Sequence, residues 1–149
     1  MVYYQLIVNG KGEDNVRVSI RSEKQDVKEF LDELKRIIND KSFDIDTNLL
    51  LISSKKSADK EQFSTPYTLI DLDYDAYDVV DRLKELEVKD YSETLFDKDD
   101  DKPPLLFVFG KDIHDKQVYI KLKIKGEETR KFLCLSFHYA EKQMSFPYA

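Results

Sequence analysis

The side chains with the most chemistry in them fall in the last third of the chain. The stretch Gln117-Val118-Tyr119-Ile120-Lys121-Leu122-Lys123 is followed by a polar turn and then by Leu133-Cys134-Leu135-Ser136-Phe137-His138-Tyr139, a pattern that predicts a β-hairpin. Alternation sends Val118, Ile120, Leu122 and Ile124 to one face and Tyr119, Lys121 and Lys123 to the other. On the returning strand it sends Leu133, Leu135 and Phe137 inward and leaves His138 on the face of Tyr119 and Lys121. Registers for turns centred near residues 126–129 differ by whole dipeptides and keep that sorting, and one of them sets Tyr119 opposite His138. A phenol, an ammonium and an imidazole on one face are groups able to move protons at a phosphodiester. The same residue types are common on ordinary solvated strands, so spacing alone supplies candidates rather than a catalyst.

The elements that position this hairpin must come from the rest of the chain. With 149 residues the chain has the length of one domain and can bury a core of its own. Ordinary apolar content combined with 36% charged residues argues against disorder and for a heavily solvated surface. The single cysteine, Cys134, excludes a disulfide framework and a cysteine metal site, and fits a reducing cytoplasm. No basic region followed by an apolar stretch opens the chain, and no apolar run approaches a membrane span, so the expectation is a protein neither exported nor membrane-embedded.

A net charge of −6 opposes wholesale nucleic-acid binding, since phosphate contacts need clustered lysine and arginine. The charge is uneven, however. Acids crowd residues 97–102 and the middle of the chain (Asp71, Asp73, Asp75, Asp78, Asp81), whereas residues 111–131 are locally basic.

Residues 2–8 and 15–20 read as strands joined by Asn9-Gly10-Lys11-Gly12, a turn whose residues tolerate positive φ. Val27, Phe30, Leu31, Leu34, Ile37 and Ile38 recur at helical spacing, which predicts a helix over residues 26–39, capped by Ser22 with Gln25 or by Asp26 with Glu29. Residues 48–53 read as a buried strand. Residues 54–67, closed by Pro66, read as a loop with at most a short helix. A second helix is expected over residues 75–87, its stripe made of Ala76, Val79, Val80, Leu83 and Leu86. Residues 93–104 are expected to be a loop because of their acids and Pro103-Pro104. Their Asp97, Asp99 and Asp101 are spaced as in a calcium loop, but Lys102 and Val108 stand where that loop needs Gly and Glu. Residues 105–110, 118–124 and 132–138 then form an antiparallel meander. No phosphate-binding glycine loop, GxSxG elbow, HExxH or internal repeat is present.

Several of these pieces together resemble a family. Thr68-Leu-Ile-Asp-Leu-Asp-Tyr74, the helix through Val79 and Leu86, Val88-Lys-Asp-Tyr-Ser92, Phe107-Val-Phe-Gly-Lys111, Val118-Tyr-Ile-Lys121, Leu135-Ser-Phe-His-Tyr-Ala-Glu141 and Phe146-Pro-Tyr148 occur in the order and spacing of MqsR-type mRNA interferase toxins of the RelE-like superfamily. The resemblance covers about residues 27–148 and leaves the N-terminal hairpin outside. It implies a compact α+β RelE-like domain with a C-terminal antiparallel meander packed against two main helices. The chain then reads as one domain over 1–149, with a hairpin addition at 1–22 and a toxin-like part at 23–149. The implied activity is cofactor-free, metal-independent endoribonuclease cleavage of single-stranded mRNA, held in check by a cognate antitoxin protein. The family's catalytic tyrosine matches Tyr119, and the lysine that follows its Ser-Phe pair is here His138. A further family lysine and a glutamine align near Glu93 and Val108 and are not matched.

Two functions remain open on sequence. In the first, the protein is a toxin of a toxin-antitoxin type system that cleaves RNA by 2′-hydroxyl attack, with His138 as base, Tyr119 as acid, and Lys121, Lys123 or Arg130 holding the phosphate. In the second, it is a noncatalytic binding module whose acidic surface meets a basic partner and whose aromatic C-terminal segment docks that partner or a second copy in a homodimer.

Overall fold

The computed structural model describes residues 5–8, 16–53, 56–96 and 105–149, the stretches 5–8 and 16–18 as backbone only. The Asn9–Gly12 turn and the acidic segment 97–104 with its calcium-like aspartates lie outside the described residues. The strands are β1 (Gln5–Val8), β2 (Val16–Ile20), β3 (Leu49–Leu51), β4 (Tyr91–Leu95), β5 (Leu106–Ile113), β6 (Lys116–Lys125) and β7 (Lys131–Tyr139). They form one seven-stranded sheet in the order β1-β2-β4-β5-β6-β7-β3. Every neighbouring pair is antiparallel except β3 and β7, which run parallel. With helices α1 (Lys24–Asn39), α2 (Ile45–Asn48), α3 (Thr65–Leu72) and α4 (Ala76–Lys84), the class is α+β. The N-terminal hairpin continues the sheet, because β2 pairs with β4 through Ser19↔Leu95 and Ile20↔Thr94.

One face of the sheet is dry. α1 buries Val27, Leu31, Leu34, Ile37 and Ile38, and α4 buries Val79, Val80 and Leu83. Beneath them lie Phe109, Val118, Ile120, Leu122, Phe132 and Phe137, all fully enclosed. Phe30 stacks on Phe107 with ring centroids 4.2 Å apart, completing the α1 stripe. Each such side chain contributes roughly 1.5–3 kcal/mol on leaving water.

α4 starts with a reciprocal capping box: the Asp78 amide donates to the Asp75 carboxylate, and the Asp75 amide to that of Asp78. α1 has no such cap. Glu23 occupies the cap position without a side-chain bond, and the Ser22 hydroxyl is paired with Thr94 at 2.7 Å instead.

Three further sequence expectations are corrected. Residues 65–67, expected to close the loop that begins at residue 54, instead open helix α3 over Thr65–Leu72. Ser64 accepts from the Tyr67 amide and Pro66 fits a first helical turn, where its missing N–H is no loss. Residues 93–95 belong to β4, where the Ser19 hydroxyl donates to Glu93 at 2.7 Å and Thr94 and Leu95 are buried. Finally, Leu133 and Leu135 do not share the face of Phe137. A bulge intervenes, since Leu122 pairs with Cys134 but Lys121 pairs with Ser136, and the extra residue reverses parity. Phe132 and Cys134 therefore join Phe137 and Tyr139 in the core, while Leu133 stands opposite Lys123 and Leu135 packs on the other face.

α3 lies along β7. The Phe137 amide donates to the Thr65 hydroxyl at 3.1 Å and the Tyr139 amide to that of Thr68 at 3.0 Å. The turn between β5 and β6 is a two-residue hairpin in which His114 and Asp115 both adopt left-handed φ, 49° and 64°, the conformation that matches strand twist.

Candidate functional site

The second face of the sheet carries the candidate residues in two cross-strand rows. Gly110, Tyr119 and His138 form one row; Glu93, Val108, Lys121 and Ser136 form the next. Tyr119 and His138 stack with ring centroids 5.0 Å apart and planes 12° from parallel. Their footing is a small apolar cluster of Leu95, Leu106 and Val108, joined by Tyr119, Leu135 and Met144.

The C-terminal segment crosses this face. Met144 donates its amide to Gln117 Oε1 at 2.9 Å. Gly110 admits the segment closely, because a Cβ there would lie 2.7 Å from the Phe146 ring and 2.9 Å from the Met144 sulfur. Tyr148 stacks on Tyr91 at 5.7 Å and donates its hydroxyl to the Ser22 carbonyl at 2.6 Å. The aromatic residues of this segment thus pack on the chain's own sheet.

His138 is largely enclosed, with 9% of its surface exposed. Burial is the main cause that holds its pKa below the usual histidine value; the hydrogen bond to Tyr139 opposes the shift, Lys56 and Lys121 add to it, and Glu141 opposes it. Nδ1 lies 2.9 Å from the Tyr139 carbonyl oxygen. A carbonyl can only accept, so the neutral ring carries its proton on Nδ1 and keeps the Nε2 lone pair as a base. Lys56 reaches this neighbourhood from the segment after β3 and pairs with Glu141 at 3.9 Å, which Lys60 approaches at 3.7 Å. Burial also lowers the Lys56 pKa. Lys56 escaped the sequence reading because the parallel pairing of β3 with β7, which carries the following segment there, leaves no local trace.

The predicted residues separate. Tyr119, His138 and Lys121 lie together. Lys123 shares their face but is 3% exposed; it stands opposite Leu133 across the strand pair, and this burial withholds its ammonium from a phosphate at the surface. Arg130 is not brought to the pair. It sits at the other end of the hairpin, roughly 20 Å along the strand at ~3.3 Å per residue, where it bonds Glu33 and the Gly126 carbonyl. Cys134 is inert: burial pushes its thiol up to about 12. Among the described residues, no cluster of His, Cys, Asp and Glu is arranged to hold a metal, and no helix is long and apolar enough to cross a membrane.

No known protein-family model matches the chain, and neither a characterised protein nor a solved structure does.

Proposed function

We propose that the protein is an endoribonuclease of the MqsR-like toxin type, acting on single-stranded RNA through His138, Tyr119 and Lys121. The observation that carries this reading is the stacked Tyr119–His138 pair with the imidazole fixed in the tautomer of a base. Beside it, the four positions that the family resemblance marks (Glu93, Val108, Tyr119 and His138) fall on adjoining strands of a single sheet face.

In this mechanism His138 Nε2 takes the proton of a ribose 2′-hydroxyl as O2′ bonds to the adjacent phosphorus. The bond from phosphorus to the 5′ oxygen breaks, and that oxygen takes the Tyr119 phenolic proton. Lys121 and Lys56 offset charge on the pentacoordinate phosphorus, an effect strengthened where water is scarce. The products are a 2′,3′-cyclic phosphate and a 5′-hydroxyl. DNA lacks the nucleophile and is not cut.

The test is incubation of the folded protein with single-stranded RNA in EDTA, followed by analysis of the ends. Cyclic-phosphate ends that vanish with His138→Ala support the reading. Intact RNA with the wild-type protein removes it in favour of a noncatalytic protein-binding module.

A further inference from the structure

A cleft of about 660 Å³ opens at the end of β6 and β7, lined by Gln117 and Tyr139, which are two residues before Tyr119 and one after His138. Its walls combine the rings of Phe63 and Tyr67, the amides of Gln117 and Gln143, and the carboxylates of Asp112 and Asp115. Gln117 is two positions before Tyr119 on the same strand, so their side chains share a face about 6.6 Å apart along β6. That places the cleft beside the reacting pair, within reach of the neighbouring nucleotide of an extended strand.

The chemistry of these walls discriminates between parts of a nucleotide. The lining sets the carboxylates of Asp112, Asp115 and Glu141 against two lysines, Lys116 and Lys142, so its acidic balance disfavours a phosphate, and Lys116 is already engaged. Its ammonium pairs with Asp71 at 3.7 Å and lies over the Tyr139 ring at 4.6 Å. Aromatic rings accept the flat face of any base, with stacking worth about 1–3 kcal/mol. Amides and carboxylates act on its edge: a carboxylate accepts from an exocyclic amino group, as it does from N4 of cytosine, and a glutamine amide pairs in the manner it does with adenine. Gln117 already accepts the Met144 amide at its oxygen, which orients its NH₂ group as a donor to a ring nitrogen, so acceptance from an exocyclic amino group falls to the carboxylates and to Gln143.

We infer that this cleft is a nucleobase subsite that holds the base flanking the scissile phosphate and selects bases bearing an exocyclic amino group over their oxo counterparts. The inference rests on the endoribonuclease reading for the identity of the neighbouring site, but base binding can be measured without cleavage.

The experiment therefore uses short 2′-deoxy-substituted, uncleavable oligonucleotides and reads binding by fluorescence anisotropy. One flanking position is varied as cytosine against uracil and as adenine against hypoxanthine. The wild-type protein is expected to favour the amino member of at least one pair by about tenfold. The double substitution Asp112→Asn with Asp115→Asn, and separately Gln143→Ala, should reduce that preference to within about twofold while the melting temperature stays close to wild type. Equal binding of amino and oxo bases by the wild-type protein, or a preference that survives both variants, overturns the subsite. If RNA is not cleaved yet the amino preference is present and lost in the variants, the subsite stands and only the catalytic reading falls.

Discussion

The two faces of the sheet are built on opposite terms. Under α1 and α4 the strands present an apolar surface from Phe109 through Ile120 to Phe137, and its charged groups stand at the margin, where Lys111 pairs with Glu85 at 3.1 Å and Lys116 lies over the Tyr139 ring. The other face sets His138, Lys121, Lys123 and Ser136 around a far smaller apolar cluster. Met144 and Phe146, from the irregular chain after β7, lie against it in place of a helix. The first face supplies stability through area removed from water. The second uses partial burial to change what side chains do, and the lowered pKa of His138 is the outcome.

Substitutions on the two faces should therefore separate activity from stability. His138→Ala should cut RNA cleavage by ~10² to 10⁴ with little loss of folded structure by near-ultraviolet circular dichroism; wild-type cleavage rates in this variant would remove the base from the mechanism. Phe137→Ala, its chain neighbour on the dry face, should lower stability by about 3–5 kcal/mol in urea unfolding, and a cost under 1 kcal/mol would mean that the helical layer is not a packed core.

Gly110→Ala tests the cover of the second face. The added methyl must displace Phe146 and Met144, at about 1–3 kcal/mol, and Gly110→Ala combined with Met144→Ala should recover part of that loss.

The pH dependence follows from His138. Its folded pKa lies below that of the unfolded chain, so unfolding takes up a proton between the two values. Stability then decreases as pH falls from 6.5 through that window, and is flat with respect to this group above it. Cleavage, which needs the neutral ring, should keep its plateau below pH 6.5. An acidic limb centred at or above 6.5 would contradict the burial of the ring. The smallest effect belongs to Arg130→Ala, which breaks an exposed pair with Glu33, should shift stability by less than ~1 kcal/mol, and should leave cleavage unaltered if the site is confined to the Tyr119 end.

Period and parity carried much of this architecture in the sequence. Val27 to Ile38 and Val79 to Leu83 repeat every three to four residues and form buried helix stripes, and Leu86 is buried just past the end of α4. That Tyr119 and His138 share a face follows from parity near the end of the hairpin, and their direct pairing is one of the registers parity allowed. Near its turn the same reasoning failed for Leu133 and Leu135, because the bulge beside Ser136 leaves no mark in a pattern of alternating apolar residues. α3 was hidden since the residues it buries are two threonines and one leucine, Thr65, Thr68 and Leu72. Its threonines serve as acceptors for β7, and no apolar stripe announces that role. Lys56 and the cleft depend on segments far apart in sequence, which local spacing does not report.

Those threonine hydroxyls bear on assembly. Among the described residues β3 pairs with β7 from Phe132 to Cys134, and beyond that stretch the amides of Phe137 and Tyr139 would otherwise form an open template for another chain. With Thr65 and Thr68 holding both donors, a second copy cannot extend the sheet there without dislodging α3. Thr65→Val with Thr68→Val should thus convert a protected border into one prone to intermolecular strand addition and aggregation.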